Sequence, residues 1–138
     1  MVTVRLPHHV GSAAAARRRV RQELQERAVS RRMSDDAALV VSELVGNAVR
    51  HAQPLPGGQL MLSCTVQGSE VELRVTDGGA DLVPALRAPA DDESAGRGLT
   101  IVSRLAAAWG VESSAVGTTV WAVLKPGRGA GHARPQPA

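Results

Sequence analysis

Four polar side chains recur at helical spacing within residues 34–52, and their types suit a site for chemistry. They are Glu43, Asn47, Arg50 and His51. Offsets of four, seven and eight residues place them on one face of an α-helix, opposite a stripe of Ala, Leu and Val. Asparagine is mildly unfavourable inside a helix, so its presence there needs a reason. An acid, an amide, a guanidinium and an imidazole on one face indicate a small polar site, with an ordinary solvated helix face as the alternative.

Three glycine-containing segments follow that helix, and each could bring a ligand close to the backbone. They are DGG at residues 77–79, GRGL at 96–99 and GTT at 117–119. A carboxylate at the end of a strand accepts hydrogen bonds, and glycine beside it lets a ligand approach closely. Free N–H groups in a glycine-flanked loop that opens a helix bind anions, especially phosphate. Taken singly, the segments also fit an Asp-Gly turn, a flexible linker and a β-turn.

The elements that must position these residues are predicted from hydrophobic periodicity and from helix and turn signals. A helix with Ser12 as its N-cap is expected first, and Ser34 is the expected N-cap of the helix that carries the polar face. A third helix is expected to end at Gly110. The predicted order is strand 2–6, helices 12–28 and 34–52, strands 59–66 and 70–76, loop 80–98, helix 99–109, and strands 111–114 and 118–124.

This order predicts an α+β fold of one domain. A mixed, mostly antiparallel sheet is expected to be covered on one face by about three helices, giving a two-layer α/β sandwich. The domain is expected to span residues 1–126, and the Pro- and Gly-rich tail 127–138 is predicted to be disordered. Because the chain has no Phe, no Tyr and two Trp, Val, Leu and Ala must pack the core.

Composition excludes several kinds of protein. The single cysteine, Cys64, excludes an internal disulfide and a cysteine-based zinc site, and we expect it to be a buried small side chain. No apolar run is long enough to span a bilayer, so we expect a cytoplasmic protein without membrane contact.

Charge is polarised along the chain. Residues 17–32 hold seven arginines against two glutamates, whereas residues 70–93 hold seven acids against two arginines. The arginines alone favour nucleic-acid binding. The acidic segment and the shortage of aromatic side chains for base stacking argue against it. We therefore expect no direct contact with nucleic acid, and the basic segment is either a solvated face or a surface for a protein partner.

In this order the polar segments resemble a known set of motifs. ELVGNAVRHA, VTDGG, GRGLTIV and GTTVWAVL are similar to the N-box, the two glycine boxes and the terminal GT motif of the GHKL (Bergerat-fold) ATP-binding superfamily. The resemblance covers residues 12–125. Its E-x-x-x-N spacing is similar to that of bacterial anti-sigma-factor serine kinases and their small stand-alone relatives.

The resemblance implies roles for the polar helix face toward ATP and Mg²⁺. Asn47 would give its amide oxygen to Mg²⁺, a hard ion that also keeps waters and takes phosphate oxygens. Glu43 would act as the general base on a serine hydroxyl or a water. Arg50 and His51 would lie beside the phosphates.

The resemblance also implies an adenine site and a lid. Asp77 would accept a hydrogen bond from the exocyclic amine of adenine, and Gly79 would let the purine come close. The remaining residues implied to contact the nucleotide are Gly96, Arg97, Gly98 and Leu99 in the lid, and Thr118 and Thr119 near the adenine. Which threonine faces the nucleotide is left open.

The chain departs from the family pattern in two places. Asp81 stands where the first glycine box, D-x-G-x-G, has its second glycine. The phenylalanine motif of sensor histidine kinases cannot exist without Phe, and we expect no phospho-accepting histidine helix pair before the domain. His8 and His9 are interpreted as surface residues. The resemblance therefore favours the serine-kinase branch over a sensor histidine kinase.

Two functions remain open at this stage. The first is an ATP- and Mg²⁺-dependent anti-sigma-factor serine kinase, which binds a sigma factor and phosphorylates an anti-anti-sigma partner of the STAS type, and for which the family implies a homodimer. The second is a non-catalytic nucleotide-binding module that regulates a partner by binding alone.

Overall fold

The computed structural model describes residues 1–79, 100–127 and 135–137 of the chain. Its helices are α1 (Ser12–Glu26) and α2 (Arg31–His51), followed by residues 100–105, which are helical and are called α3. The strands are β1 (Val2–Pro7), β2 (Gln59–Gln67), β3 (Glu70–Asp77), β4 (Ala108–Ser113), β5 (Thr118–Leu124) and β6 (Pro135–Pro137). The expected sequence of elements is confirmed, with β6 in addition.

The strands form one sheet in the order β1-β2-β3-β5-β4-β6. Every neighbouring pair is antiparallel except β4 and β6, which run parallel. The sheet is therefore mixed and mostly antiparallel. Because side chains alternate along each strand, one face of the sheet is buried and the other is half-exposed. With the helices packed on the buried face, the predicted two-layer α/β sandwich is confirmed.

The core lies between the helices and this buried face of the sheet. It is built almost entirely from Leu, Val and Ala, as the composition requires, and Cys64 is buried within it at 1% exposure. Burying each such Leu or Val stabilises the fold by about 1.5–3 kcal/mol. The largest side chains with under 2% exposure include Leu24, Leu44, Leu60, Leu62, Leu73 and Leu124.

The start of α2 differs from the prediction. Ser30 is the N-cap, with extended backbone geometry and a hydroxyl that accepts a hydrogen bond from Met33 N at 3.2 Å. Ser34, the predicted cap, lies inside the helix and is buried at 3% exposure. The prediction was wrong because the preceding arginines were not recognised as the first turn of this helix.

The ends of α1 also differ from the prediction. Gly11 is the N-cap residue, and Ser12 instead donates its hydroxyl to the carbonyl of Pro7. The helix ends at Glu26 rather than at Ala28, because Ala28 adopts a left-handed backbone with φ 57°. Hydrogen bonds from Ala28 N to Gln25 O and from Val29 N to Leu24 O close the helix end in a Schellman motif.

The third helix is shorter than predicted. Helical structure ends at residue 105, and Trp109 and Gly110 lie in β4, where they pair with Ala122 and Trp121 of β5. The prediction was wrong because an unbroken apolar run fits a buried strand as well as a helix. The strand expected at 111–114 accordingly begins earlier, at Ala108.

Two predictions fall largely on residues outside the described ranges. These are the loop at 80–98 and the disordered tail at 127–138, within which the structure describes Gly127 and the short strand β6. Among the helical residues that the structure describes, no helix is long and apolar enough to cross a membrane.

Candidate functional site

The polar face of α2 lies on the outer side of the helix, near its C-terminal end. Glu43, Asn47 and His51 are half-buried, and Arg50 is exposed. The Arg50 guanidinium donates a hydrogen bond from Nη2 to Asn47 Oδ1 at 2.9 Å. The predicted clustering of these four residues on one helix is confirmed, and the amide oxygen of Asn47 has a cationic partner on the same helix.

Glu43 lies one turn before Asn47 on this face. Within the part of the chain that the structure describes, its carboxylate forms no hydrogen bond and no ion pair. A half-buried carboxylate in this position can accept a proton from a group bound in front of the helix.

Asp77 ends β3 on the buried side of the sheet and is only 3% exposed. Its Oδ1 accepts a hydrogen bond from Gly79 N at 2.7 Å. Burial raises the pKa of the Asp77 carboxyl above its ordinary value, while the Gly79 N–H and the charge of His8 oppose that rise in pKa. This carboxylate is an acceptor held in place by the backbone, in an environment that strengthens its hydrogen bonds.

Close backbone contacts fix the end of α2 against Asp77. Gln53 N donates to Gly79 O at 2.8 Å, and Gly78 N donates to Gln53 O at 2.7 Å. A Cβ atom at Gly78 would overlap the carbonyl of Pro54, and one at Gly117 would overlap the carbonyl of Asp77. Glycine is therefore required here for space. The two hydrogen bonds tie the segment that follows α2 to the backbone directly after Asp77.

The two threonines of β5 are separated by the pleat of the sheet. Thr118 pairs with Asp77, is 5% exposed, and has its Oγ1 3.6 Å from where a Cβ of Gly79 would be. Thr119 lies on the half-exposed face, where its hydroxyl is 2.7 Å from that of Thr76. The structure therefore brings Thr118 together with Asp77 and Gly79, and does not bring Thr119 there.

His8 was interpreted from the sequence as a surface residue, and that interpretation was wrong. The residue is half-buried, and its Nε2 donates to the carbonyl of Ala52 at 2.8 Å and to that of Ala48 at 3.2 Å. Ala52 is the C-cap residue of α2, and Ala48 lies in the last turn, where its carbonyl also accepts a hydrogen bond from Ala52 N at 3.1 Å. No local sequence pattern reveals this contact, because the partners lie 40 and 44 residues away along the chain. His9 is exposed, as expected.

The remaining candidates lie outside the described residues. They are Gly96, Arg97, Gly98 and Leu99, together with Asp81 of the first glycine box. Among residues 1–79 and 100–127, no three His, Cys, Asp or Glu side chains lie close enough together to hold a metal ion.

The basic segment of the chain covers the outside of α1 and the start of α2. Arg21 forms an ion pair with Asp35 at 3.5 Å, and Arg27 forms one with Glu23 at 2.7 Å. Arg18 is exposed on α1. The pair of Arg21 and Asp35 is exposed on both sides, and such pairs contribute little to stability.

Comparison with known proteins agrees with the fold and with the motifs. The family described as the histidine kinase-like ATPase domain matches residues 6–124, so the chain belongs to this family of GHKL ATPase domains. No curated protein sequence shows a significant match.

Two solved structures share the fold. A structure of the RsbU and RsbW domains of Rv1364c from Mycobacterium tuberculosis matches 91% of this chain with 20% identity and a TM-score of 0.62. The histidine kinase domain of the blue-light activated histidine kinase EL346 from Erythrobacter litoralis matches 70% with 20% identity and a TM-score of 0.51. The chain spans 32% and 46% of their respective lengths.

Proposed function

We propose that this domain binds ATP between the polar face of α2 and the corner formed by Asp77 and Thr118. The observation that carries the proposal is the buried Asp77 carboxylate, held by Gly79 N–H beside Thr118 and tied through Gln53 to the end of α2. Such a carboxylate accepts a hydrogen bond from an exocyclic amine, which adenine has at this place and guanine lacks. ATP is also the ligand that the ATPase family implies.

Mg²⁺ is the metal ion that fits this site. The amide oxygen of Asn47 is a hard ligand of the type Mg²⁺ accepts, and the other ligands would be phosphate oxygens and waters. A bound Mg²⁺ would neutralise phosphate charge during transfer. Arg50 and His51 lie on the same face and would hold the phosphates, while residues 96–99 stay the predicted lid.

For the reaction, we propose phosphoryl transfer to a protein serine. Glu43, one turn from Asn47 and without an ion pair in the described chain, would accept the proton of the attacking hydroxyl. The E-x-x-x-N spacing and the likeness to a structure that contains an RsbW domain support the anti-sigma-factor branch. The proposed partners are a sigma factor and a STAS-type anti-anti-sigma protein, with a homodimer as the proposed assembly.

The alternative is a nucleotide-binding module without catalysis, which acts on a partner by binding alone. Asp81, which replaces a glycine of the first glycine box, favours this alternative because that box shapes the loop beyond the adenine. Both functions require ATP binding, and they differ in phosphate transfer.

Calorimetry tests the shared part of the proposal. Wild-type protein is expected to bind ATP more tightly with Mg²⁺ than without it, and Asn47→Ala should lose most of that gain. Gln22→Ala, on the exposed side of α1, is the matched control and should bind as wild type does. Absence of ATP binding by the wild type in either condition would refute the nucleotide site.

Incubation with labelled ATP and a panel of STAS proteins separates the two functions. A kinase should yield phosphoserine in one of them, and Glu43→Gln should reduce the rate about 100-fold or more while ATP still binds. Glu26→Gln removes an exposed carboxylate of α1 and should leave the rate unchanged. Full-rate transfer by Glu43→Gln would show that Glu43 is not the base.

A further inference from the structure

The oxygen proposed as a metal ligand is already bonded to a cation of the same helix. Arg50 lies three residues after Asn47, and its Nη2 is 2.9 Å from Asn47 Oδ1. A metal ion on that oxygen would lie next to the guanidinium, and two cations sharing one oxygen repel each other. The oxygen has two lone pairs, but this repulsion lowers its affinity for a metal ion as long as the guanidinium stays bonded to it.

Gly46 has no side chain, and this leaves space for the Arg50 guanidinium against the helix. A Cβ at this position would lie 3.1 Å from Arg50 Nη1 and 3.7 Å from Nη2, and the first distance is shorter than an ordinary van der Waals contact. Gly46 lies inside α2 with no left-handed backbone, so its backbone geometry does not require glycine. Glycine in a helix interior is also less favourable than alanine. A Cβ at Gly46 would therefore push the end of the Arg50 side chain away from the position in which it bonds to Asn47.

The hydrogen bond between Arg50 and Asn47 can be broken by a competing negative charge. Arg50 is exposed, and no acidic side chain of the described residues holds it in an ion pair. A hydrogen bond to a neutral amide is weaker than one to a phosphate oxygen. A polyphosphate bound in front of α2 would draw the guanidinium away, and adenosine, which has no phosphate, would not.

We propose that the Arg50 guanidinium, which lies against Gly46, keeps a metal ion from Asn47 Oδ1 until nucleotide phosphates draw the guanidinium away. We call this arrangement the latch. The proposal rests on the ATP site described above. With the latch, a divalent ion binds Asn47 Oδ1 well only when nucleotide phosphates are present. The site therefore binds a free metal ion poorly. The latch is a property of the nucleotide-free protein and can be tested there.

The first test uses Mn²⁺, an ion of similar ligand preference whose paramagnetism broadens nearby NMR signals even at low occupancy. Nucleotide-free wild type, Arg50→Gln and Gly46→Ala are compared, with the Asn47 side-chain amide as the signal. At equal Mn²⁺ concentration, the Asn47 side-chain amide signal should broaden at least about three-fold more in both variants than in wild type. Arg18→Gln, which removes an exposed arginine of α1, should match wild type.

Gly46→Ala is the decisive variant because it keeps the charge of Arg50 and replaces a poor helix former with a good one. If Arg50 acted only through its charge, Gly46→Ala would behave as wild type, and that result would overturn the latch. Folding of each variant is checked by the dispersion of its amide spectrum.

The second test adds ATP in the presence of a chelator. In wild type, the Asn47 amide signal should move to its position in nucleotide-free Arg50→Gln, and adenosine should not move it. An unmoved signal in protein that calorimetry shows to be loaded with ATP would overturn the latch alone. Failure of wild type to bind ATP would instead refute the proposed nucleotide site, and the Mn²⁺ comparison would still decide whether the latch exists.

Discussion

Asp77, the last residue of β3, lies directly opposite Thr118, the first residue of β5, and the two are only 3% and 5% exposed. Both side chains lie on the side of the sheet that faces the helices. A carboxylate and a hydroxyl buried side by side at the end of an otherwise apolar surface point to a polar ligand. This pair defines the proposed adenine end of the site.

Replacing Asp77 with Asn should weaken ATP binding about 10- to 100-fold. A hydrogen bond to a charged acceptor contributes about 1.5–3 kcal/mol, and the amide loses the charge while keeping an oxygen for Gly79 N–H. Calorimetry measures the change, with Asp35→Asn on the exposed side of α2 as the control. Equal ATP affinities for Asp77→Asn and wild type would contradict an adenine contact at this residue.

The stability of the protein should depend on pH through the same carboxyl. Burial raises the pKa of Asp77 in the folded state above 3.8, so the folded protein keeps this proton over a pH range in which the unfolded chain has released it. The contribution of Asp77 to the free energy of unfolding is therefore fully present below the unfolded pKa and is lost as pH rises through the folded pKa.

Asp77→Asn should consequently be more stable than wild type at pH 7, and the difference should shrink as the pH is lowered toward 4. Urea unfolding of both proteins at the two pH values measures it. A difference that stays constant between these pH values would show that the Asp77 carboxyl does not titrate as its burial implies.

Two serines at the start of α2 should respond oppositely to removal of the hydroxyl. Ser30→Ala loses the cap on Met33 N and should lower the free energy of unfolding by about 1 kcal/mol. Ser34 Oγ is buried and has no hydrogen-bond partner among the residues that the structure describes, so Ser34→Ala should leave stability unchanged or raise it. Urea unfolding of the two variants decides whether the helix begins at Ser30 or at Ser34. A loss confined to Ser34→Ala would favour the later start.

The sequence predicted those parts of the fold that depend on patterns among residues close together in the chain. Alternating apolar residues gave β2 and β3, and the Asp-Gly pair after β3 placed Asp77 at a strand end. Helical spacing placed Asn47 and its neighbours on one face of α2. These features depend on residues within a few positions of one another.

The helix ends at Ser30 and Ala28 were missed although they are local, whereas the other misses depend on pairing between distant segments. Choosing between Thr118 and Thr119 needs the register of β5 against β3, because a shift of one residue exchanges the two faces. Trp109 lies in a strand because β4 pairs with β5, which places Trp109 opposite Ala122. The hydrogen bond between Arg50 and Asn47 has helical spacing, but the spacing alone does not show which way the guanidinium lies.

His8 shows what such a distant contact contributes to the site. Its Nε2–H bonds to the carbonyls of Ala48 and Ala52 hold the last turn of α2, and the next residue, Gln53, carries both backbone bonds to the Gly78–Gly79 segment. Loss of the imidazole removes the hydrogen bonds that it donates to these two carbonyls, although Ala48 O keeps its bond from Ala52 N. His8→Ala should therefore lower the free energy of unfolding by about 1–2 kcal/mol.

The same variant should loosen the joint between α2 and Asp77. Hydrogen exchange of the Gln53 amide should become faster than in wild type, and ATP affinity should fall several-fold because the two halves of the site are no longer held together. His9→Ala is the matched control, since His9 is adjacent and exposed, and within the described chain its imidazole bonds only to the nearby Gly11 amide. If His9→Ala and His8→Ala change Gln53 exchange equally, the effect comes from the β1–α1 connection in general, and His8 has no special part in positioning the site.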